Sequence, residues 1–344
     1  MNNLISSVKK FRIRKRNVFI IIIVSILAVG LFWKLSSKSL STIMQTDTPT
    51  RLDNTAWLDT HFNWKGLNPL VYTVPETIYP RGLNLLFIAD AFNTQDEFID
   101  AVDVILKAMK QTEPWKSHAE INAFLIFQNS STICMVKEEN SYAPVLKCGK
   151  ELIALAQTLP LVNVKVVVLS RQSFVSWANV SRFENSFVFY SMPESKQTDT
   201  FNLKIFIHEF AHGFGLRDET RSIIADSGSA PARPEGPNCA PNVAVAKLWW
   251  GKYLKHEDGA LIFDSTNNDV GFYFGCAGNQ DYLRPTQKSL MNIQDFPDAD
   301  TYGLVSEDYL RKVLKYCYSS TIYSKIDDAE FVSQYPDFAI CFKS

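Results

Sequence analysis

The stretch from Phe201 to Glu219, FNLKIFIHEFAHGFGLRDE, limits what this chain can become more than any other. It reads as an apolar helix ending in a glycine turn, and it carries His208, Glu209 and His212. Histidines four apart stand on one face of a helix, one turn above the other, so both imidazoles can reach a single ion. Glu209, beside them, has the place of the general base in a zinc hydrolase. Gly215 lets the chain reverse after the helix, because glycine takes positive φ without strain. The reversal can bring Asp218 back as a third ligand, which leaves one position for water. Glu219, the next residue, is the alternative third ligand.

By itself HExxH is a weak signal. A long helix acquires it by chance, and the plain alternative is a helix with two histidines and no ion. The flanks weigh against that alternative. Leu203, Ile205, Phe206, Ile207, Phe210 and Ala211 mark the helix as buried. An unpaired His-Glu-His set is unfavourable in such a place without a metal or polar partners. Further on, Ser289-Leu290-Met291 offers a floor for the site.

The N-terminus reads as a membrane segment. Lys9, Lys10, Arg12, Arg14, Lys15 and Arg16 precede an uncharged apolar run from Val18 to Trp33, closed by Lys34. About 20 residues make a comfortable span. Leu35, a thin bilayer and snorkelling of Lys34 make up the difference. A cleaved signal peptide is the competing reading, but no A-x-A-like site follows. In both cases the basic side stays cytoplasmic and the body lies outside the cytoplasm. Seven of the 35 basic residues fall in the first 34, which hold no acid, so the remainder sets 28 basic against 36 acidic residues, about −8. That balance argues against a nucleic-acid partner.

All six cysteines (134, 148, 239, 276, 317, 341) lie in the exported part. An even number in an oxidising compartment suggests disulfides, although six cysteines allow 15 pairings. The sequential set Cys134–Cys148, Cys239–Cys276 and Cys317–Cys341 closes short local loops and is the expected one. A cysteine zinc site is disfavoured, since no C-x-x-C spacing occurs. Asn129 and Asn179 match the glycosylation pattern, which matters only in a eukaryotic host.

The expected organisation is a basic cytoplasmic segment at 1–17, an anchor at 18–35, a stalk and edge segment at 36–78, a body at 79–318 and a stapled tail at 319–344. In the stalk Trp57, Phe62 and Trp64 are expected to pack on the body, and His61 to be an ordinary surface residue. Leu83 to Ala89 is a short apolar run ending at Asp90, a buried-strand signal. Thr94 caps a predicted helix at Gln95–Lys110 with Phe98, Val102, Ile105, Leu106 and Met109 on one face. Asn122–Phe127 and the β-branched run Val164–Leu169 are further strands, with a helix around Lys150–Thr158 between them. Ser186–Tyr190 is a strand just before the His208 helix and is expected at the edge of a cleft, where a peptide could pair with it. A last helix is predicted at Ser306–Tyr316, with Leu310, Val313 and Leu314 inward. Strands alternating with helices give an α/β layered body.

Five ordered segments resemble the IgA-peptidase family of zinc metallopeptidases, a metzincin-like group. They are LNLLFIADAF (83–92), TEPWKSHAEINAFLIF (112–127), HEFAHGFGLRDE (208–219), PNCAPNVAVAKLWWGKY (237–253) and GCAGNQDYLRPTQKSLMN (275–292), spread over residues 80–315. The resemblance implies a zincin-like body, a mixed layered sheet with an HExxH helix, binding Zn²⁺ through His208, His212 and Asp218. Asp218 stands ten residues after His208, where metzincins place their third ligand. Met291 is then the methionine under the metal, its soft side chain against the histidine rings. Tyr282 is a candidate transition-state donor or a packed tyrosine; Arg284 either orients a substrate carbonyl or carboxylate or pairs within the fold. The chain departs from many members in having one glycine in the turn and Thr220 where they have tyrosine. It also leaves no room for their N-terminal β-sandwich.

The implied function is a membrane-anchored, extracytoplasmic zinc metallopeptidase acting on peptide or protein substrates, with Glu209 as base towards a zinc-bound water. A zinc-holding module without turnover, a cell-wall peptide amidase and a cell-surface structural protein remain as alternatives. Metal analysis and an assay on unfolded protein separate them.

Overall fold

Two periodicities build the body: alternation along strands, and a 3.6-residue apolar stripe along helices. The structure, a computed structural model, describes residues 70–72, 79, 81–127, 134–137, 144–148, 152, 164–179, 186–220, 235–254, 269–321 and 329–335. The chain divides into two units, Met1–Thr50 and Arg51–Ser344, and the described residues all belong to the second. The predicted anchor at 18–35, its basic leader, nearly all of the stalk, the helix at 150–158 except Leu152, Asn129 and Cys341 lie outside the described residues. Among the described residues no helix is long and apolar enough to cross a membrane.

In chain order the first elements are β1 (Leu70–Tyr72), β2 (Leu83–Asp90), α1 (Gln95–Met109), β3 (Ile121–Ile126), β4 (Cys134–Lys137) and β5 (Val145–Cys148). Next come β6 (Val164–Ser170), β7 (Trp177–Ala178), β8 (Ser186–Ser191) and α2 (Thr200–His212). Then follow α3 (Val243–Trp250), β9 (Tyr273–Cys276), β10 (Asn279–Arg284), α4 (Leu304–Cys317) and α5 (Ala329–Gln334). The result is a mixed α/β fold. Its main sheet runs β1-β3-β2-β6-β8-β7, with β3, β2, β6 and β8 parallel and the two outer strands antiparallel. Thr94 caps α1 as predicted, its side chain accepting from the Glu97 N–H.

Alternation along the strands divides the core. Leu83, Leu85 and Phe87 of β2, Val167 and Leu169 of β6, and Val188 and Tyr190 of β8 meet α1, α2 and α4 on one face. Leu86, Ile88, Val166, Val168 and Phe189 meet Cys134 of β4, Leu146 of β5 and Leu152 on the other. Parallel strands covered on both faces read as continuous apolar runs, which is why Leu83–Ala89 and Val164–Leu169 were recognisable. A third cluster packs α3 against β9 and β10 through Ala246, Trp250, Phe272 and Leu283.

One topological expectation is corrected. β8 is not an edge strand: it pairs with β6 on one side and with β7 on the other. β7 and β8 pair antiparallel, with the Trp177 ring stacked on Phe189 at 4.3 Å. Asn179 completes the cover: its N–H donates to the Phe187 carbonyl, and its side-chain Oδ1 accepts from the Phe187 N–H. Any edge at this end belongs to β7.

Two predicted disulfides are present, Cys134–Cys148 and Cys239–Cys276. The first closes the β4–β5 hairpin, where the two residues are directly opposite. Cys317 is also disulfide-bonded, while its predicted partner Cys341 is outside the described residues.

Candidate metal centre

α2 begins at an N-cap, Asp199, whose carboxylate accepts from the Phe201 N–H at 2.9 Å. Its apolar side presses Phe206 and Phe210 onto Trp115, Tyr190 and Phe214. That packing turns His208 and His212 together, with both rings buried and their centroids 4.9 Å apart. Past His212 the chain winds through short turns to Gly215, at φ +90°, and doubles back. Asp218 thereby faces the histidines. Its Oδ1 lies 2.9 Å from His208 Nε2 and 3.3 Å from His212 Nε2.

The donor chemistry fits a metal ion. The three ligand atoms lie within 4.8 Å of one another. Ligands held tetrahedrally at about 2.0–2.2 Å from an ion stand roughly 3.3 Å apart, close to the two separations found here. Each imidazole is tied off behind: His208 Nδ1 meets the Leu290 carbonyl and His212 Nδ1 the Leu216 carbonyl, both at 2.8 Å. A carbonyl can only accept, so Nδ1 carries the proton in both rings, and the Nε2 lone pairs are left for a ligand. Glu209 stands 4.0 Å from each Nε2, outside hydrogen-bonding reach of both.

Electrostatics agree with a cation-binding cluster. Burial alone would lower the His208 pKa, but Asp218 and Glu209 outweigh it and raise it. Burial likewise works against the Asp218 charge, yet the two imidazoles hold its carboxyl far below the usual range. The carboxylate and the two rings thus favour a positive charge between them, the place an ion would take.

Glu219, the alternative ligand, faces away. Its carboxylate accepts from Asn238 Nδ2 at 2.9 Å and from Ser289 Oγ at 2.7 Å, and its N–H donates to the Met291 carbonyl at 2.7 Å. Burial lifts this carboxyl to about 7, against the pull of Asn238, Ser289, Arg284 and Thr286. Glu219 thus joins the third-ligand segment to the turn carrying Met291. Met291 is fully buried in a short 3₁₀ turn, Leu290–Asn292, and shares the main core with Phe206, Ile207 and Phe210.

Of the two remaining candidates, Arg284 pairs within the fold. Arg284 is buried and gives its donors to backbone carbonyls of Glu219 (2.9 Å), Gly275 (2.8 Å) and Thr286 (3.1 Å). Its planar fork, matched to several acceptors at once, braces the fold behind Asp218. Tyr282, half-buried on β10, makes no hydrogen bond to the cluster among the described residues.

The sequence reading missed Asn238, and it named Ser289 only as part of the floor and not as a partner of Glu219, because both pairings join residues distant in sequence. It also missed Lys165. A single lysine inside VKVVVLS is a charge in an apolar run, and that alone was a signal that it needs a partner.

No protein-family model matches the chain, and no curated protein matches it either.

Proposed function

We propose that the chain is a membrane-tethered, extracytoplasmic metallopeptidase of zincin-like plan, similar to the IgA-peptidase family, with the signal-anchor at 18–35. The observation that carries this reading is the convergence of His208 Nε2, His212 Nε2 and Asp218 Oδ1 beside the Glu209 carboxylate. The resemblance over five ordered segments supports it and names zinc as the ion.

In this reading His208, His212 and Asp218 hold Zn²⁺. When bound, the ion supplies Lewis acidity, acidifying coordinated water towards a pKa of about 7 and polarising a carbonyl. The Leu290 and Leu216 carbonyls keep the rings in the ligating tautomer. Glu209 takes a proton from the attacking water as it adds to the peptide carbonyl, then delivers it to the leaving amine as the C–N bond breaks. Its position on the helix that holds both histidines fixes the base relative to the ligands.

Glu209→Gln removes the base and keeps the three ligands. The variant is expected to bind zinc as the parent does and to lose hydrolysis of unfolded protein by at least about 100-fold, the scale of general-base contributions. A Glu209→Gln chain that cleaves at the parental rate would sink the role of Glu209. A parent that holds zinc without cleaving any peptide would instead favour a binding module.

A further inference from the structure

We infer that Lys165 and Tyr309 are positioning residues for the metal centre, acting through the turn that orients His212. The inference rests on the metal-site reading above and concerns how the chain holds one of its ligands.

The ring of His212 is set by the Leu216 carbonyl, so its orientation depends on where residues 213–216 sit. After the last helical turn the N–H groups are used in sequence: Gly213 to Phe210, Phe214 to Ala211 and Gly215 to His212, at 3.0–3.1 Å. The carbonyls beyond a helix end have no partner within the helix. Here two side chains supply them. Lys165 Nζ, from β6, donates to the Gly213 carbonyl. Tyr309 Oη, from α4, donates to the Phe214 carbonyl at 2.8 Å. The turn is thus pinned at adjacent residues by donors from two different elements.

Lys165 is a strange residue to find there unless its donor matters. It is fully buried in the centre of the sheet, and its surroundings are the Phe214 ring at 4.7 Å and the Tyr318 ring at 5.9 Å. An aliphatic side chain of the same length would fill that space without the penalty of burying an amine. Placement at a helix C-terminus is favourable for a cation, and an uncharged amine still donates. What the amine adds over a hydrocarbon is a fixed height for Gly213 above the sheet. Gly213 permits that close approach, since a Cβ there would meet Ser186 Oγ at 2.6 Å.

The contrast with His208 makes the inference testable. His208 is oriented by the Leu290 carbonyl, on a separate segment. Loss of either pin should therefore loosen His212 and leave His208 in place. The experiment uses the full chain, with Lys165→Met and Tyr309→Phe as single variants. Zinc is titrated alone against a competing chelator, and the imidazole Nδ1–H protons of the zinc-loaded protein are followed by NMR. Each variant is expected to keep the parental circular dichroism and to bind zinc about tenfold more weakly, at the lower end of the 10–100-fold attached to outer-sphere partners of ligands. The His212 ring proton should exchange with solvent while that of His208 persists.

Parental affinity with both ring protons retained would overturn the inference. So would equal loss of both protons, which marks general loosening and not positioning. If Lys165→Met does not fold, Tyr309→Phe, which deletes one oxygen, decides. A parent chain that binds no zinc at all overturns the metal reading and this inference together. Tight parental binding with unaffected variants overturns the inference alone.

Discussion

Gly213 shows how little freedom single residues have around this centre. It has φ −62°, which any residue can adopt, so its requirement is purely steric: a Cβ would sit 2.6 Å from Ser186 Oγ and 3.2 Å from Ser186 Cβ. Ser186 Oγ is itself buried without a hydrogen-bond partner among the described residues. Gly213→Ala is therefore expected to cost about 1–3 kcal/mol in chemical denaturation, the usual scale of overpacking. Ser186→Ala, which removes an unpartnered buried hydroxyl, should be nearly neutral or stabilising. The double variant should recover roughly half of the Gly213→Ala loss, measured as a double-mutant cycle. Additive effects would mean that the helix end does not rest on Ser186. The same scale explains why the sequence offers Glu219 as a ligand beside Asp218. Spacing alone allows both, and only the positions of Asn238 and Ser289, 19 and 70 residues away, direct one carboxylate to the histidines and the other behind them.

At the scale of elements, the legible parts were those whose signal is local. The apolar runs of β2 and β6, the Thr94 cap and the stripe of α4 follow from residues close in sequence, and all lie near where the sequence reading put them. β7 was not legible, because two residues carry no periodicity and their pairing depends on Trp177 meeting Phe189. For the same reason the sequence places β8 at the edge of a cleft, open to a peptide. The β6 strand carries a consequence for stability. Burial lowers the pKa of Lys165 from 10.5 to about 7. Between those values the unfolded chain holds a proton that the folded chain has released, so folding becomes more favourable as pH rises through that window. This group should add roughly 1–3 kcal/mol of stability between pH 7 and 9. Urea unfolding of the parent at several pH values, compared with Lys165→Met, isolates the slope. A Lys165→Met chain with the same pH dependence as the parent would show that the lysine titrates normally.

For the whole molecule, the candidate ligands come from segments that the rest of the fold must bring together. His208 and His212 ride on α2, Asp218 on the returning turn, and their supporting carbonyls on Leu216 and Leu290. The segment of Asp218 is itself held by Ala277, Met291 and Arg284, the last from β10. A metal that binds this arrangement and not the unfolded chain must stabilise the entire body by mass action. At free zinc 100 times the dissociation constant the gain is about 2.7 kcal/mol, or roughly 5 °C in melting temperature for a body of this size. Chelator should reverse it. Glu209→Gln should retain the full shift, because the proposed ligand set is His208, His212 and Asp218. Replacing His208 and His212 together by alanine should abolish it. If the doubly substituted chain gained the same stability from zinc, the ion would be acting elsewhere and the cluster would not be its site. If the parent gained none while still cleaving peptides, the hydrolytic reading would have to find another source of catalysis.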